Sequence, residues 1–187
     1  MENLLICAGG NENFDFAKGV GIGLVDSAIN LTHMLLKMDK MPKKIIFIGT
    51  AGIYKDGEIL KIYECFYASN LEISKILGLS YTPLNMDKIC NVPRETLSKN
   101  RSDIVVNSSN FITTDKKSAL KFSDYGLMLE NMEFFSILSV ANKFKIPCYA
   151  LLCATNFCDE NAHNDFLKNH YVAKKRLENY MKEKGLI

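Results

Sequence analysis

The sequence predicts an α/β domain. Short apolar runs bounded by glycines alternate with longer stretches of helical periodicity, and one of the strand-like runs is dense in aromatic and β-branched residues. The length, 187 residues without an internal repeat, low-complexity segment or linker, predicts a single domain over residues 1–187. A mixed central sheet flanked by helices is the expected architecture.

The run NLLICAGG opens the chain as strand then turn. Helical spacing over DSAINLTHMLLKM brings Ile29, Leu31, Met34, Leu35 and Met38 towards one face. KKIIFIGTAG reads as a buried strand ending in a glycine turn, EILKIYECFYAS as one further strand, and SDIVVNSSNFI as a strand running into a polar loop. A helix around Met132–Asn142, a strand IPCYALLCATN, a polar loop and a closing helix from about Asn164 complete the order. Ligands of open α/β sheets bind at the carboxyl ends of strands. That rule singles out the Gly-Thr-Ala-Gly turn, the Asn-Ser-Ser-Asn loop and the Ala-Thr-Asn loop.

Composition narrows the function classes. The formal net charge is +2 and the lysines are scattered, which gives no reason to expect nucleic acid or an anionic membrane as partner. The one dense basic stretch, AKKRLENYMKEK, fits the solvated face of a final amphipathic helix. No signal peptide or membrane-length apolar run is present, and the six cysteines form no disulfide framework, so a cytoplasmic protein is expected. Cys153, Cys158 and His163 do not have the spacing of a common zinc site; buried free thiols and no metal are expected. One residue resists the bland reading. Glu133, in LENMEFF, precedes a run of core-type residues, and a carboxylate there is costly unless something pairs with it.

Four segments together resemble the nucleoside phosphorylase/nucleosidase superfamily, which contains purine nucleoside phosphorylases and methylthioadenosine/adenosylhomocysteine nucleosidases. GIGLVDSA (21–28) is similar to its Gly-Ile-Gly segment, and GTAG (49–52) with the following LKIYECFYAS to its Gly-Ser-Ala-Gly turn and next strand. NSSNFI (107–112) sits where the family has Ser-Gly-Asp-x-Phe-Ile. Residues 131–163 resemble, without a gap from Glu133 to His163, the Glu-Met-Glu helix, the Val-Pro strand and the Ser-Asp loop. The resemblance implies a nucleoside phosphorylase-like fold, here with a short amino-terminal part before the Gly-Ile-Gly segment. It also implies site roles: Met132 packs on the nucleoside, Glu133 accepts from ribose hydroxyls, and Phe111 and Ile112 hold the base. No cofactor is implied, and a homo-oligomer, dimer or hexamer, is.

Cleaving a purine N-glycosidic bond needs a donor at purine N7, a positioned sugar and a nucleophile for the anomeric carbon. The family's donor is usually the Asp of Ser-Asp; here the pair is Thr155–Asn156. An amide cannot deliver a proton, but its NH₂ can hydrogen-bond N7. Asn156 is thus compatible with turnover, and is also what a disabled enzyme would carry. Glu12 lies near the position of the nucleosidases' water-activating glutamate, and reads equally as a charged turn residue. For phosphorolysis the family places an arginine where this chain has Phe47; its arginines are Arg94, Arg101 and Arg176. Thr50 with the amides of Ala51 and Gly52 remain as anion ligands, with Lys18 as a helper. These residues favour hydrolysis of a purine nucleoside over phosphorolysis. The rivals are a non-catalytic purine- or nucleoside-binding protein on the same fold, and a structural subunit without ligand.

Overall fold

The computed structural model describes residues 2–92 and 103–187. Arg94 and Arg101 therefore lie outside the described residues. The chain runs β1 (Leu4–Cys7), β2 (Lys18–Gly19), α1 (Gly23–Leu36), β3 (Ile45–Ile53), β4 (Ile62–Cys65), β5 (Tyr67–Ser69), α2 (Ile73–Ile76) and β6 (Val105–Ser108). It continues through α3 (Lys116–Asp124), β7 (Leu129–Asn131), α4 (Phe134–Phe144), β8 (Cys148–Phe157) and α5 (Ala162–Glu183). The two-residue β2 is all the sheet that separates β1 from α1.

All eight strands form one mixed sheet, in the order β2-β1-β3-β7-β6-β5, with β8 on the other side of β3 and β4 beyond it. Strands β1 and β8 run parallel to β3, while β7 and β4 make antiparallel pairs with β3 and β8. Alternate residues of β3 serve opposite faces. Ile45 and Phe47 enter the core under α1 and α4; Ile46 and Ile48 enter the one under α5. A third, smaller cluster joins Tyr54, Leu71, Val105 and Phe122 beneath α3. Helix α5 buries Ala173, Leu177 and Met181 at spacings of four, as its sequence led one to expect, and leaves its lysines outside. No helix among the described residues is long and apolar enough to cross a membrane. All six cysteines are free thiols, and only Cys90 is less than fully buried.

Several boundaries differ from the sequence reading, each for a local reason. The Gly-Thr-Ala-Gly segment is not a turn: β3 continues straight through it to Ile53. Likewise β8 carries Thr155 and Asn156 within the strand, rather than in a loop. EILKIYECFYAS is two strands, because β4 pairs with β8 and β5 with β6, so the chain changes neighbours at Phe66. The LENMEFF stretch is strand β7 followed by a helix that starts only at Phe134. On α1 the buried positions are Gly23, Ser27, Leu31 and Leu35, four apart, whereas Ile29 is 59% exposed.

Candidate active site

The site follows from a break in the ladder beside β3. On that edge β1 pairs only as far as Phe47, and β7 begins to pair at Gly52. Thr50, between them, has no strand partner on that side. Its N–H and hydroxyl instead donate to Glu12 Oε1, the N–H at 3.0 Å, and its carbonyl accepts from Asn131 Nδ2 at 3.4 Å. Strand edges that separate in this way open the crevice in which α/β proteins bind ligands. Here the crevice is a cavity of about 280 Å³.

Two glycines of β3 make the room. A Cβ on Gly49 would lie 2.9 Å from Glu12 Oε2, and one on Gly52 would lie 2.8 Å from Cys158 Sγ and 3.1 Å from Asn156 Nδ2. Glu12 reaches the first opening from the tight turn after β1, where its N–H donates to the Gly9 carbonyl at 3.0 Å. Burial raises the Glu12 carboxyl to about 7, against the Thr50 hydrogen bonds; the Glu133 charge pushes the same way. Asn156 reaches the second opening with help from an irregularity in the β3–β8 register. Ala51 pairs with Ala154 but Gly52 with Asn156, so Thr155 is the extra residue. The amide is fixed in orientation: Oδ1 accepts from Thr155 Oγ1 at 2.9 Å, and Nδ2 donates to the Phe157 carbonyl at 3.0 Å.

Glu133 sits at the start of α4 and is only 3% exposed. Oε1 accepts from the Gly23 N–H, the first helical amide of α1, at 3.0 Å, and Oε2 from Asn131 Nδ2 at 2.8 Å. A carboxylate at a helix amino terminus also meets the positive end of its dipole. Burial raises the Glu133 carboxyl, and these donors oppose the rise. The neighbouring Glu130 is committed elsewhere. Its two oxygens accept from the Thr113 N–H (2.8 Å) and hydroxyl (2.5 Å) and from the Tyr54 hydroxyl (2.9 Å), which anchors the segment after β6.

The structure brings most of the sequence candidates to this cavity. Glu12, Thr50, Ala51, Gly52, Ile112, Met132, Glu133, Thr155 and Asn156 all line it. Phe111 does not; it is 83% exposed, and the expected Phe111–Ile112 pair is split by the turn in which Ser109 Oγ accepts from the Phe111 N–H. Thr50 is spoken for by Glu12, so the anion site expected at Thr50, Ala51 and Gly52 would face a carboxylate. Lys18 lines a separate groove with Glu2, Asn3 and Met41. Phe47, at the arginine position, is a core residue stacked on Phe134 with ring centroids 6.3 Å apart. The sequence reading missed Ile22, Asn131 and Phe166 as lining residues. Phe166 carried a weak signal, being an aromatic among the largely polar residues at the start of α5. Asn131 carried a signal only through the resemblance, since it stands where the Glu-Met-Glu motif has its first glutamate.

The phosphorylase superfamily model matches residues 101–183. None of the curated proteins matches the sequence. Among solved structures, a mutant of Helicobacter pylori futalosine hydrolase is similar over 97% of both chains, with a TM-score of 0.79 at 18% identity. A mutant of Helicobacter pylori methylthioadenosine nucleosidase, with 5′-methylthioadenosine in its active site, is similar over 97% of this chain and 96% of its own, with a TM-score of 0.76 at 17% identity. A putative 5′-methylthioadenosine/S-adenosylhomocysteine nucleosidase from Francisella philomiragia gives 0.76 at 15% identity, over 98% of each chain. The superfamily match over residues 101–183 and the shared fold together bear out the nucleoside phosphorylase/nucleosidase resemblance read from the sequence.

Proposed function

We propose that the chain hydrolyses the N-glycosidic bond of a purine nucleoside. The observation that carries this reading is the placement of Glu12. Its carboxylate faces the cavity, is held by Thr50 in the stretch of β3 left unpaired between β1 and β7, and is raised to about 7, near the pH at which a general base works best. Glu133 accepts the 2′- and 3′-hydroxyls of the sugar with the lone pairs that Gly23 and Asn131 leave free. Met132 and Ile112 pack against the nucleoside. Water attacks the anomeric carbon as Glu12 takes its proton. The C1′–N9 electron pair passes into the purine, whose N7 accepts from the second hydrogen of Asn156 Nδ2, and the leaving base takes its proton from solvent. Similarity to a futalosine hydrolase and to methylthioadenosine/adenosylhomocysteine nucleosidases supports a hydrolase of this kind.

Water is favoured over phosphate for a specific reason. The amide and hydroxyl of Thr50 are taken by Glu12, and a phosphate there would meet the Glu12 carboxylate with no arginine among the described residues that line the cavity. The test is incubation with a panel of purine nucleosides, with and without phosphate, measuring free base and free sugar. Sugar 1-phosphate formed only in phosphate would overturn hydrolysis. One observation favours the second reading, a non-catalytic nucleoside-binding protein: Asn156 has no proton to give. Binding of a nucleoside without base release from any member of the panel would select it.

The chain is also read as a homo-oligomer. In support, Ile22, Val25, Ile29 and Leu36 form an exposed stripe along α1 at helical spacings, and Ile22 reaches the cavity mouth. A second copy is the occupant proposed for that stripe, and a monomer by sedimentation would refute it.

A further inference from the structure

Glu12 and Glu133 come from segments 121 residues apart in sequence, and no hydrogen bond runs between them directly. Asn131 and Thr50 together span the gap. Asn131, 7% exposed, uses every hydrogen-bonding place it has. Oδ1 accepts from the backbone N–H groups of Glu133 (2.7 Å) and Phe134 (2.8 Å), which caps the entry to α4 from two positions before its N-cap residue, Glu133. Nδ2 donates one hydrogen to Glu133 Oε2 (2.8 Å) and the other to the Thr50 carbonyl (3.4 Å). Thr50 in turn holds Glu12. The chain of contacts is Glu12–Thr50–Asn131–Glu133.

We propose that Asn131 is a positioning residue, the neutral tie that registers the sugar-anchoring carboxylate against the water-activating one. The inference rests on the nucleosidase reading of those two carboxylates. Two features make an amide the right group. It supplies an acceptor to the helix and a donor to the carboxylate from one planar unit, so capping α4 and aiming Glu133 are the same act. It also adds no charge to a cavity that already holds Glu12 and Glu133, whose charges act on one another. A carboxylate at this place would keep the cap and reverse the second contact, acceptor against acceptor. The polar groups around Glu133 are the Gly23 and Met132 N–H groups and Asn131, and the other titratable side chains lining the cavity are Glu12, Glu130 and His163.

Serine and aspartate side chains also accept from backbone amides two and three residues ahead, as Asn131 does, which separates the two roles. Asn131→Ser keeps the cap and removes the donor; Asn131→Asp keeps the cap and turns the donor into an acceptor. Positioning predicts folded variants with kcat/KM lower by about ten- to a hundredfold, the loss expected for one hydrogen bond to a charged group. The Glu133 carboxyl, followed by carbon-detected NMR, should titrate higher in Asn131→Ser than in wild type, and higher again in Asn131→Asp. The titration needs no substrate. An inert wild type with the titration moved would overturn the nucleosidase reading and uphold the tie. Folded variants with an unmoved Glu133 titration and unchanged kcat/KM would leave Asn131 a helix cap, and overturn the inference.

Discussion

Glu12→Gln separates the chemistry of Glu12 from its packing. The glutamine carbonyl can accept from the Thr50 amide and hydroxyl as the carboxylate does, so the turn after β1 keeps its anchor. What is lost is the ionisable group. The carboxyl moves from 4.5 to about 7 on folding, chiefly because it is desolvated. Its folded value lies above its unfolded one, so the stability it contributes is fully present below pH 4.5 and lost as the pH rises through 7. At about 1.4 kcal/mol per unit, this is up to about 3 kcal/mol across that window. The glutamine cannot titrate, so wild type should lose ground to the variant between pH 4.5 and 8, while Glu130 and Glu133 titrate in both proteins. At pH 8 the variant should be the more stable of the two. Base release should fall by about a hundredfold to ten-thousandfold, the share of a general base. The assays are urea melts of both proteins at several pH values and nucleoside cleavage at pH 8. A stability difference that stays constant with pH, or a variant with full activity, would refute the account of Glu12.

Other perturbations probe the rest of the cavity. Glu133→Ala should weaken nucleoside binding or turnover by about 1.5–3 kcal/mol, measured by calorimetry or kcat/KM; an unchanged, folded variant would return Glu133 to a merely structural role. Gly49→Ala places a methyl 2.9 Å from Glu12 Oε2 and should displace that carboxylate, lowering kcat by about a hundredfold with the fold kept; normal kcat would show that Glu12 has slack. Asn156→Asp sets a carboxyl oxygen against the Phe157 carbonyl, 3.0 Å from the present nitrogen, a place only a protonated acid fills well. That acid has a proton for N7 and an acceptor for a 6-amino group, so base release should shift towards adenosine-type over inosine-type substrates. A wild type that already prefers 6-aminopurines would contradict this account of the amide.

How much of this the sequence revealed depended on whether a feature was local. The alternation of strands and helices was legible because each apolar run carries its own period, and Glu133 stood out because a carboxylate beside Phe134 and Phe135 needs an explanation. The course of the chain through Gly-Thr-Ala-Gly was not legible. Glycine is the usual sign of a turn, but at 49 and 52 it answers to Glu12, Cys158 and Asn156, which arrive from distant segments. Strand β7 was hidden for a similar reason. Three residues are too few to show a period of two, and what ends the strand and leads into α4 is the Asn131 side chain closing on the amides of Glu133 and Phe134. The resemblance implies Phe111 and Ile112 as a pair, yet Ile112 lines the cavity while Phe111 stays exposed outside it.

These failures share a cause that also explains the site. A strand paired on both edges has its N–H and C=O groups consumed by the ladder, and its side chains are packed from above and below. Chemistry needs backbone groups that are free to hold other residues. Beside β3 the ladder passes from β1 to β7, parallel to antiparallel, and in the space between them Thr50 has an amide and a carbonyl to give. Glu12 takes the first and Asn131 the second, and through Asn131 the position of Glu133 is set. The residues that hold one another there are remote in sequence because only the change of strand neighbour brings them together. For the same reason a substitution that closed the gap, by extending β1 along β3, should abolish the site while improving the sheet.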